Sequence, residues 1–593
     1  MKNAISILKM TNSEARNFFL QPQNYFSLNL PSYFNLSYLL NFAKDNLGVN
    51  QLFEKNHLMK ESKYSKVSGI NYILQSNKTS SSYRPIVLIH PFLYVDYVNC
   101  LTKEEHWNEI IKRFEELHRI TESKIYCGSI PFEIRDTKRV LDTDYRLESA
   151  IKFWSDIEQE SIKLSLAYSY LLKVDIASFY SSIYTHTIPW ALHGEAVAKE
   201  QKENRSYLGN KLDGKFQYMN YGETVGIPQG NLVSDFISEL LLAYIDSLLV
   251  EQLEKINSDL DYKILRYRDD FRIFTHTAEE ANLIKRELVL ILQRHKLTLG
   301  EAKSSLGMDI TKMAIKEEKL YWLEHDPTIK ITMDRIYQLP KKFFEKVFLK
   351  NYDKKSLSKK WIHKIFKRNF HNRIYSATLQ KHLYIIKLFS DKFPNNGQLI
   401  GAFKEFEDRI SELTYEDFKH SGTEINVLIA LVVDILKKNP KVTEVGTKLL
   451  SVLLSKIHYN ISFEDWVRLW EENKTITEDY ELKLELIISI NQKLSASMYH
   501  SYLEIWLQRL VVKALHENSG FIESYMERSN NELVILCNSA IRNESIPMLF
   551  DESWLHEKYR LDLKQFINLE EIENLPEVIS AKEISLAEYS LII

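Results

Sequence analysis

Hydrophobic positions along most of the chain recur with the spacing of amphipathic helices. Between residues 101 and 123, Trp107 and Phe114 fall on one helical face. A second helix is predicted from Glu279 to His295, and a long one after the Gly- and Pro-containing loop at 226–230. Over the C-terminal part of the chain, amphipathic segments follow one another without a fixed-period motif, which predicts stacked helix pairs of irregular length.

Two stretches show the pattern of buried strands instead. Residues 171–175 (LLKVD) form an apolar run that ends in Asp175, and residues 262–275 predict a hairpin of two apolar strands. Adjacent carboxylates, Asp269 and Asp270, lie where this hairpin turns. Asp is common in turns and in helix caps, so local structure alone is one explanation for all three residues.

A metal site is the other explanation for these carboxylates. Two carboxylates held close together repel each other, so one normally stays protonated unless a cation is bound. Mg²⁺ is typically held by one or two carboxylates together with substrate phosphates. Asp175, Asp269 and Asp270 are therefore candidate ligands for Mg²⁺, with Mn²⁺ as the alternative ion.

Composition narrows the class of protein. The 593 residues are 45% hydrophobic and 26% charged, as in an ordinary globular chain long enough for roughly three or four domains. The three cysteines are widely separated and form neither a metal-ligand spacing nor a disulfide framework, which predicts a reducing, cytoplasmic compartment. The longest apolar run starts at Ile425, is too short to span a bilayer and contains Asp434, so no membrane association is expected.

Local charge, rather than the net charge of −3, indicates nucleic-acid binding. Residues 341–368 are dense in lysine, with aromatic residues interleaved. Cations can follow phosphates while rings stack on bases, a combination that suits single strands. A solvated helix face is the ordinary alternative. The candidate contacts are Lys354, Lys355, Lys359 and Lys360.

The motifs and their order resemble the palm of reverse transcriptases. That palm is marked in sequence by an Asp with an aromatic residue five positions later, a PQG-type loop that enters a helix, and a Tyr-x-Asp-Asp hairpin. The resemblance covers roughly residues 80 to 310 and is strong because all three motifs occur in the right order. The matching residues here are Asp175 with Tyr180, Pro228-Gln229-Gly230, and Tyr267-Arg268-Asp269-Asp270.

The resemblance implies an RNA-directed DNA polymerase, a nucleotidyltransferase that uses deoxynucleoside triphosphates. It implies that Asp175 and Asp269 bridge two metal ions and that Asp270 is an auxiliary carboxylate. Two metals can stabilise both the attacking and the leaving oxygen. Lys303 lies where the family often has a lysine that protonates the leaving pyrophosphate, although the phrase LGEAKSS departs from the usual wording.

The same resemblance assigns a substrate-binding set. Tyr180 would pack under the sugar and exclude a 2′-hydroxyl, although a place in the core explains it equally well. Gln229 would contact the incoming nucleotide, and Gly230 would let the backbone approach it; a helix-entry turn is the alternative. Arg84, in the phrase RPI, would meet the triphosphate, and Tyr267 belongs to the same set.

A finer resemblance is to the bacterial abortive-infection, or defence-associated, reverse transcriptases of the AbiK, AbiA and Abi-P2 type. It rests on FYSSIYTHTIPWALHG, GIPQGNLVSD and RYRDDF, followed by a long helical C-terminal half. It implies a role in anti-phage defence and DNA synthesis that is template-independent or primed from a protein hydroxyl. Implied partners are single-stranded DNA or RNA, including a non-coding RNA, and either further copies of the chain (a trimer or hexamer) or a partner defence protein.

The expected fold class is α+β: reverse-transcriptase-like fingers and palm followed by a large all-α helical-repeat domain. The predicted boundaries are 1–80 for an N-terminal helical or fingers extension, 81–320 for fingers and palm, and 321–593 for the helical domain.

Two other functions compete with this interpretation. Arg509 and His516 lie on a predicted helix at a spacing used by some defence ribonucleases of the HEPN class. Alternatively, the chain is a non-catalytic nucleic-acid scaffold that keeps only the palm fold. The intact Asp175, Asp269 and Asp270 argue against a scaffold.

Overall fold

The structure is a computed structural model, and its fold is described over most of the N-terminal half and part of the C-terminal half. The described residues are 4–60, 67–79, 82–134, 156–301, 304–321, 324, 379–411, 413, 418, 424–456, 489–490, 501–517, 529, 531–581 and 583–584.

Within these ranges the strands are short and gather in the N-terminal half. They are β1 (Ala4–Ser6), β2 (Tyr72–Thr79), β3 (Ser82–Leu88), β4 (Ile125–Cys127), β5 (Phe132–Ile134), β6 (Tyr170–Asp175), β7 (Lys263–Tyr267), β8 (Asp270–Thr275) and β9 (Ser305–Gly307).

Helices make up most of the rest. The first eleven are α1 (Asn12–Phe19), α2 (Pro22–Tyr25), α3 (Leu36–Leu47), α4 (Pro91–Leu101), α5 (Glu104–Thr121), α6 (Phe179–Ser182), α7 (Thr187–His193), α8 (Glu195–Glu200), α9 (Leu208–Met219), α10 (Leu232–Ile256) and α11 (Ala278–Arg294). The others are α12 (Ile310–Ala314), α13 (Gln398–Ser411), α14 (Ile425–Lys438), α15 (Thr443–Ser455), α16 (Ser501–Glu517), α17 (Glu532–Ile541) and α18 (Leu569–Asn574).

Five strands form the central sheet in the order β4-β7-β8-β6-β9. β4 pairs with β7 in parallel, and the other neighbours are antiparallel. The hairpin predicted over 262–275 is β7 and β8, and the strand predicted to end at Asp175 is β6. Two separate ribbons, β1 with β5 and β2 with β3, complete the strand pairing.

The two faces of the sheet enter different cores because successive side chains of a strand point to opposite sides. Leu172 and Val174 of β6 join the large core of the protein, whereas Leu171 joins a smaller cluster. On the large-core side, α5 packs across α10, with the ring of Trp107 stacked on Phe236 at 5.5 Å between centroids. The smaller cluster is formed by Ile157, Tyr168, Leu171, Leu265, Phe274 and Ile310.

The helices predicted from apolar periodicity are confirmed. α5 covers most of 101–123 with Trp107 and Phe114 buried, and α11 differs from the predicted helix by one residue at each end. By contrast, α4, which follows β3, was not predicted from the sequence. Every residue of α4 is buried, so it has no polar face that would show helical periodicity in the sequence.

The described elements beyond residue 379 are helical, and one of them packs against the N-terminal segment. The Asn29 carbonyl accepts hydrogen bonds from the Tyr502 hydroxyl (2.9 Å) and the Trp506 indole (3.3 Å) of α16. The Tyr33 hydroxyl and the Gln508 side chain lie 3.3 Å apart. One buried hydrophobic cluster extends from the N-terminal segment through the sheet region to these helices, while the three domain boundaries and the helical-repeat organisation stay predictions.

No helix among the described residues is sufficiently long and apolar to cross a membrane.

Gly230 lies where three segments meet. Its carbonyl accepts from the Ser27 amide at 2.8 Å, and the preceding carbonyl, of Gln229, accepts from Val87 of β3 at 2.8 Å. A Cβ on Gly230 would lie 2.5 Å from Ile86 Cγ2, and the residue has φ +108°. Only glycine fits this approach without displacing β3.

We expect Gly230→Ala to lower the free energy of unfolding by about 2–4 kcal/mol, from backbone strain at positive φ and overpacking against Ile86. The matched control is Gly214→Ala in α9, where an added Cβ meets no atom within 4 Å. That change should be neutral or stabilise by up to about 1 kcal/mol because Ala favours helix. Urea unfolding midpoints measure both, and equal midpoints would contradict the packing argument.

Candidate active site

Strand pairing brings the candidate carboxylates to one end of the sheet. Asp175, the last residue of β6, lies directly opposite Asp270, the first residue of β8. The Ile176 amide donates to the Asp269 carbonyl at 3.1 Å. This bond flanks Asp175 and Asp270, so they form a non-hydrogen-bonded pair, in which Cα atoms are only about 4.5 Å apart. Like charges in such a pair are destabilising unless a cation or a proton offsets them.

The turn between β7 and β8 has two residues, Arg268 and Asp269. Arg268 has φ +50°, whereas Asp269 does not have a positive φ. A positive φ at the first turn residue matches the twist of the flanking strands but is costly for any residue other than glycine, Asn or Asp. The Arg268 amide donates to Ser129 Oγ at 2.9 Å, which helps to hold this conformation.

Below the turn lies a buried charge cluster centred on Arg266. Its Nε donates to Asp246 Oδ2 at 2.8 Å, and its Nη1 donates to Glu239 Oε2 at 3.1 Å and to the Arg268 carbonyl at 3.2 Å. The Ser129 hydroxyl donates to Glu239 Oε1 at 2.6 Å. Burial raises the pKa of Asp246 to about 6, against the opposing effect of Arg266. These contacts connect the hairpin to the middle of α10.

Tyr180 lies beside this hairpin. α6, which carries it, starts four residues after Asp175. The Tyr180 ring is buried, and its hydroxyl donates to Asp235 Oδ1 at 2.7 Å. Arg268 Nη2 donates to the other oxygen of the same carboxylate, Oδ2, at 3.0 Å. Burial, followed by the Asp235 carboxylate, keeps the pKa of Tyr180 well above its usual value, although Arg268 lowers it.

The PQG-type loop packs against both α6 and β3. Its Ile227 amide donates to the Tyr180 carbonyl at 3.0 Å, and its Gln229 carbonyl accepts from Val87. Asn231 ends the loop as the N-cap of α10, where its side chain accepts from the Ser234 amide at 2.9 Å. Gln229 is half-buried, and the loop that carries it is hydrogen-bonded through its backbone to the strand that carries Arg84 and to the helix that carries Tyr180.

The structure describes some of the remaining predicted site residues and not others. Arg84 is exposed on β3, and Tyr267 is half-buried at the end of β7. The phrase LGEAKSS begins beside the end of β6, since the Gly300 amide donates to the Asp175 carbonyl at 2.7 Å. Lys303 and the four lysines proposed for nucleic-acid contacts lie outside the described residues. All these assignments stay predictions.

A basic group lies on the same sheet face as the Asp175–Asp270 pair. Lys173 and Arg272 are cross-strand partners two residues from that pair. Burial lowers the pKa of Lys173 to about 8, helped by Arg272 and Lys316, while Asp270 acts in the opposite direction. Asp270 therefore has positively charged neighbours on the same face of the sheet, and they reduce its repulsion from Asp175.

The donor types at this end of the sheet fit a divalent cation, because carboxylate oxygens are the ligands that Mg²⁺ prefers. Backbone pairing brings Asp175, Asp269 and Asp270 together. In the side-chain positions of the described part of the chain, however, no group of three or more His, Cys, Asp or Glu residues is arranged to hold a metal ion. The residues that would bind the metal are thus adjacent, but their side chains are not gathered around one point.

The ribonuclease interpretation of α16 finds no support in the structure. Arg509 is buried, and its guanidinium donates to Glu583 at 2.7 and 3.1 Å and to the Pro576 carbonyl at 3.0 Å. His516 lies 3.8 Å from Glu573. Arg509 thus holds the segment after α18 against α16, and its donors are used within the fold.

Asp235, Glu239 and Asp246 were missed by sequence reasoning although they hold the hairpin in place. They share one side of α10, at positions i, i+4 and i+11. A signal was present, because acidic residues recur in a helix that is otherwise apolar and buried almost throughout. Their partners, Arg266 and Arg268, alternate along the strand and its turn, as residues on one face of a strand do.

Residues 76–328, somewhat less than half of the chain, match the family described as reverse transcriptase (RNA-dependent DNA polymerase). No curated protein matches the sequence. Telomerase from Candida albicans in complex with a TWJ fragment of telomeric RNA is 12% identical, with a TM-score of 0.27, over 74% of this chain and 68% of that chain. Apo telomerase from Candida tropicalis is 13% identical, with a TM-score of 0.27, over 78% and 72%. TM-scores this low carry no functional argument.

We expect Lys173→Met to remove a pH dependence of stability. The pKa of Lys173 is about 8 in the folded protein, below its ordinary value of 10.5. Between these values the lysine binds more protons in the unfolded state, so Lys173 by itself contributes stability that grows as pH rises from 8 to 10.5. Allowing for solvent screening, this contribution is about 1–2 kcal/mol. Urea titrations across this range should show that the stability of Lys173→Met rises less, or falls more, with pH than that of the wild type, and Lys163→Met, at an exposed lysine, should keep the wild-type pH dependence.

Proposed function

We infer that this chain, whose residues 76–328 form a reverse-transcriptase domain, is an active polymerase that adds deoxynucleotides at the end of its central sheet. The observation that carries the proposal is the non-hydrogen-bonded pairing of Asp175 with Asp270, next to Asp269. Antiparallel pairing places three carboxylates from distant parts of the chain at one edge, which is the donor set that phosphoryl transfer needs.

Divalent cations, with Mg²⁺ expected and Mn²⁺ as the alternative, would be held by Asp175 and Asp269, and Asp270 would be auxiliary. When bound, they would neutralise charge on the transferring phosphoryl group. The hairpin supplies rigidity, because Arg266 is bonded to Glu239, Asp246 and the Arg268 carbonyl. Rotation of the Asp175, Asp269 and Asp270 side chains towards one point is what metal binding would require of the site.

The groups around the pair would orient the nucleotide. Tyr180 is proposed to lie under the sugar and select deoxynucleotides, since its hydroxyl is already bonded to Asp235 and its ring is fixed. Gln229 would contact the nucleotide from the PQG-type loop, which is hydrogen-bonded to both β3 and α6. Arg84 is exposed and would meet the triphosphate; Lys303 would serve the leaving pyrophosphate. The lysines of 341–368 are proposed to hold the emerging single strand.

A role in bacterial anti-phage defence is proposed from the motif resemblance. The proposal is supported by the sequence motifs around Tyr180, Gln229 and the hairpin and by the helical elements of the C-terminal half. With it comes the proposal that synthesis is template-independent or begins on a protein hydroxyl. Single-stranded DNA or RNA, and either further copies of the chain or a defence protein, are the proposed partners.

We expect Asp175→Ala and Asp269→Ala to abolish nucleotide incorporation, at least about 10³-fold, because each removes a proposed metal ligand. The measurement is incorporation of labelled dATP with Mg²⁺, and circular dichroism checks the fold. The control is Asp309→Ala, an exposed N-cap of α12, which should keep wild-type incorporation. Near-normal incorporation by Asp269→Ala protein would refute the assignment. In a host challenged with phage, Asp269→Ala should also lose protection; equal plaque counts with and without wild-type protein would refute the defence role alone.

The priming mechanism can be tested by incubating the wild-type protein with Mg²⁺ and labelled dATP, without added template or primer. If synthesis starts on a protein hydroxyl, labelled product should migrate with the protein on a denaturing gel and shift to free DNA after protease treatment. Strict dependence on an added primer, or a free 5′ end on every product, would contradict protein priming while leaving the polymerase assignment intact.

A further inference from the structure

One carboxylate on α10 is shared by two parts of the proposed site. Asp235 Oδ1 accepts from the Tyr180 hydroxyl at 2.7 Å, and Oδ2 accepts from Arg268 Nη2 at 3.0 Å. Asp235 is only 6% exposed, so water competes little for either bond. The three residues belong to α6, α10 and the hairpin turn, so this carboxylate joins three separate elements.

Each partner is positioned by further contacts, so Asp235 has little freedom to choose another arrangement. Arg268 is held through its amide by Ser129 and through its carbonyl by Arg266. The ring of Tyr180 is buried, and the ring of Phe179 meets it edge-on at 5.5 Å between centroids. Shifting Asp235 would therefore move the Tyr180 hydroxyl, the Arg268 guanidinium, or both.

We propose that Asp235 is a positioning residue that ties the Tyr180 ring to the hairpin bearing Asp269 and Asp270, so that one side chain sets both sugar selection and the placement of the carboxylates. The inference rests on the proposed polymerase function and deepens it. The two proposed effects involve different oxygens of Asp235: Oδ1 accepts from Tyr180, and Oδ2 accepts from Arg268 of the hairpin. Substitutions can therefore test the two effects separately.

Charge supports a permanent link rather than a switch. Burial and the Asp235 carboxylate raise the pKa of Tyr180, so its hydroxyl keeps its proton and stays a donor. An arginine guanidinium stays charged in proteins, so Arg268 remains a donor. Both groups are therefore donors to Asp235 near neutral pH.

The two proposed effects of Asp235 predict different changes in steady-state kinetics with dATP and ATP: one in the preference for dATP and the other in kcat. Tyr180→Phe removes only the hydroxyl: the ring loses its tether, so preference for dATP in kcat/KM should fall roughly tenfold while kcat for dATP stays within about twofold. Asp235→Asn keeps an acceptor for Tyr180 but weakens the bond to Arg268. It should lower kcat for dATP roughly tenfold, with the preference for dATP retained.

Controls separate positioning from folding. Ser247→Ala lies on the same helix, where the Ser247 hydroxyl donates to the Tyr244 carbonyl within that helix, and should leave both parameters unchanged. Arg268→Gly removes the guanidinium but also relieves the positive φ, which offsets part of the cost of taking this partner from Asp235, and it should lose kcat like Asp235→Asn. If Asp235→Asn folds poorly, Arg268→Gly still tests the effect on the hairpin.

Wild-type dATP preference in Tyr180→Phe, or wild-type kcat in both Asp235→Asn and Arg268→Gly, would overturn the inference. Such results with an enzyme that still requires Asp269 would leave the polymerase function standing. An inactive wild type, or activity that survives Asp269→Ala, would instead reject the polymerase function itself.

Discussion

The candidate site depends on the ion pairs that hold the β7–β8 hairpin against α10. Asp235, Glu239 and Asp246 form an acidic stripe on one side of the helix, and it holds Arg266 and Arg268. Buried ion pairs add little net stability because desolvation offsets their attraction, but removing one partner leaves a buried charge that costs about 3–5 kcal/mol. The stripe therefore fixes position more than it adds stability. The turn that carries Asp269 is thus held, through Arg266 and Arg268, against a helix that hardly any solvent reaches.

Strain and repulsion are both concentrated at the same end of the sheet. Arg268 has a left-handed backbone, and Asp175 faces Asp270 across a narrow pair. The strained turn would not persist in an isolated hairpin, since its cost exceeds what two short strands supply. It persists because Ser129, Arg266 and Asp235 hold Arg268 through its amide, its carbonyl and its guanidinium. The repulsion between Asp175 and Asp270 is moderated by Lys173 and Arg272 on the same sheet face. A fold that needs such support at one point is typical of a functional site rather than of a structural turn.

The secondary-structure elements around the site could be predicted from the sequence better than the contacts that hold them in place. The β7–β8 hairpin, β6 and the helices α5 and α11 followed from their apolar patterns, whereas α10, which is buried almost throughout, followed from the Gly- and Pro-containing loop that enters it. α4 did not, because a helix buried on every side has no polar face. Asp235 was not identified because its role lies in partners that are 33 and 55 residues away in the chain and meet it only in the folded state.

The contacts of Asn29 with Tyr502 and Trp506 have a consequence for the timing of activity. The segment that carries Asn29 also carries Ser27, which is bonded to Gly230 in the PQG-type loop. During synthesis this segment waits for a partner helix made more than 470 residues later. At roughly 5–20 residues per second the interval is on the order of half a minute to a minute and a half. A nascent chain that has not yet reached residue 501 therefore lacks the helix that contacts this segment, and the contact forms only after most of the second half has been made.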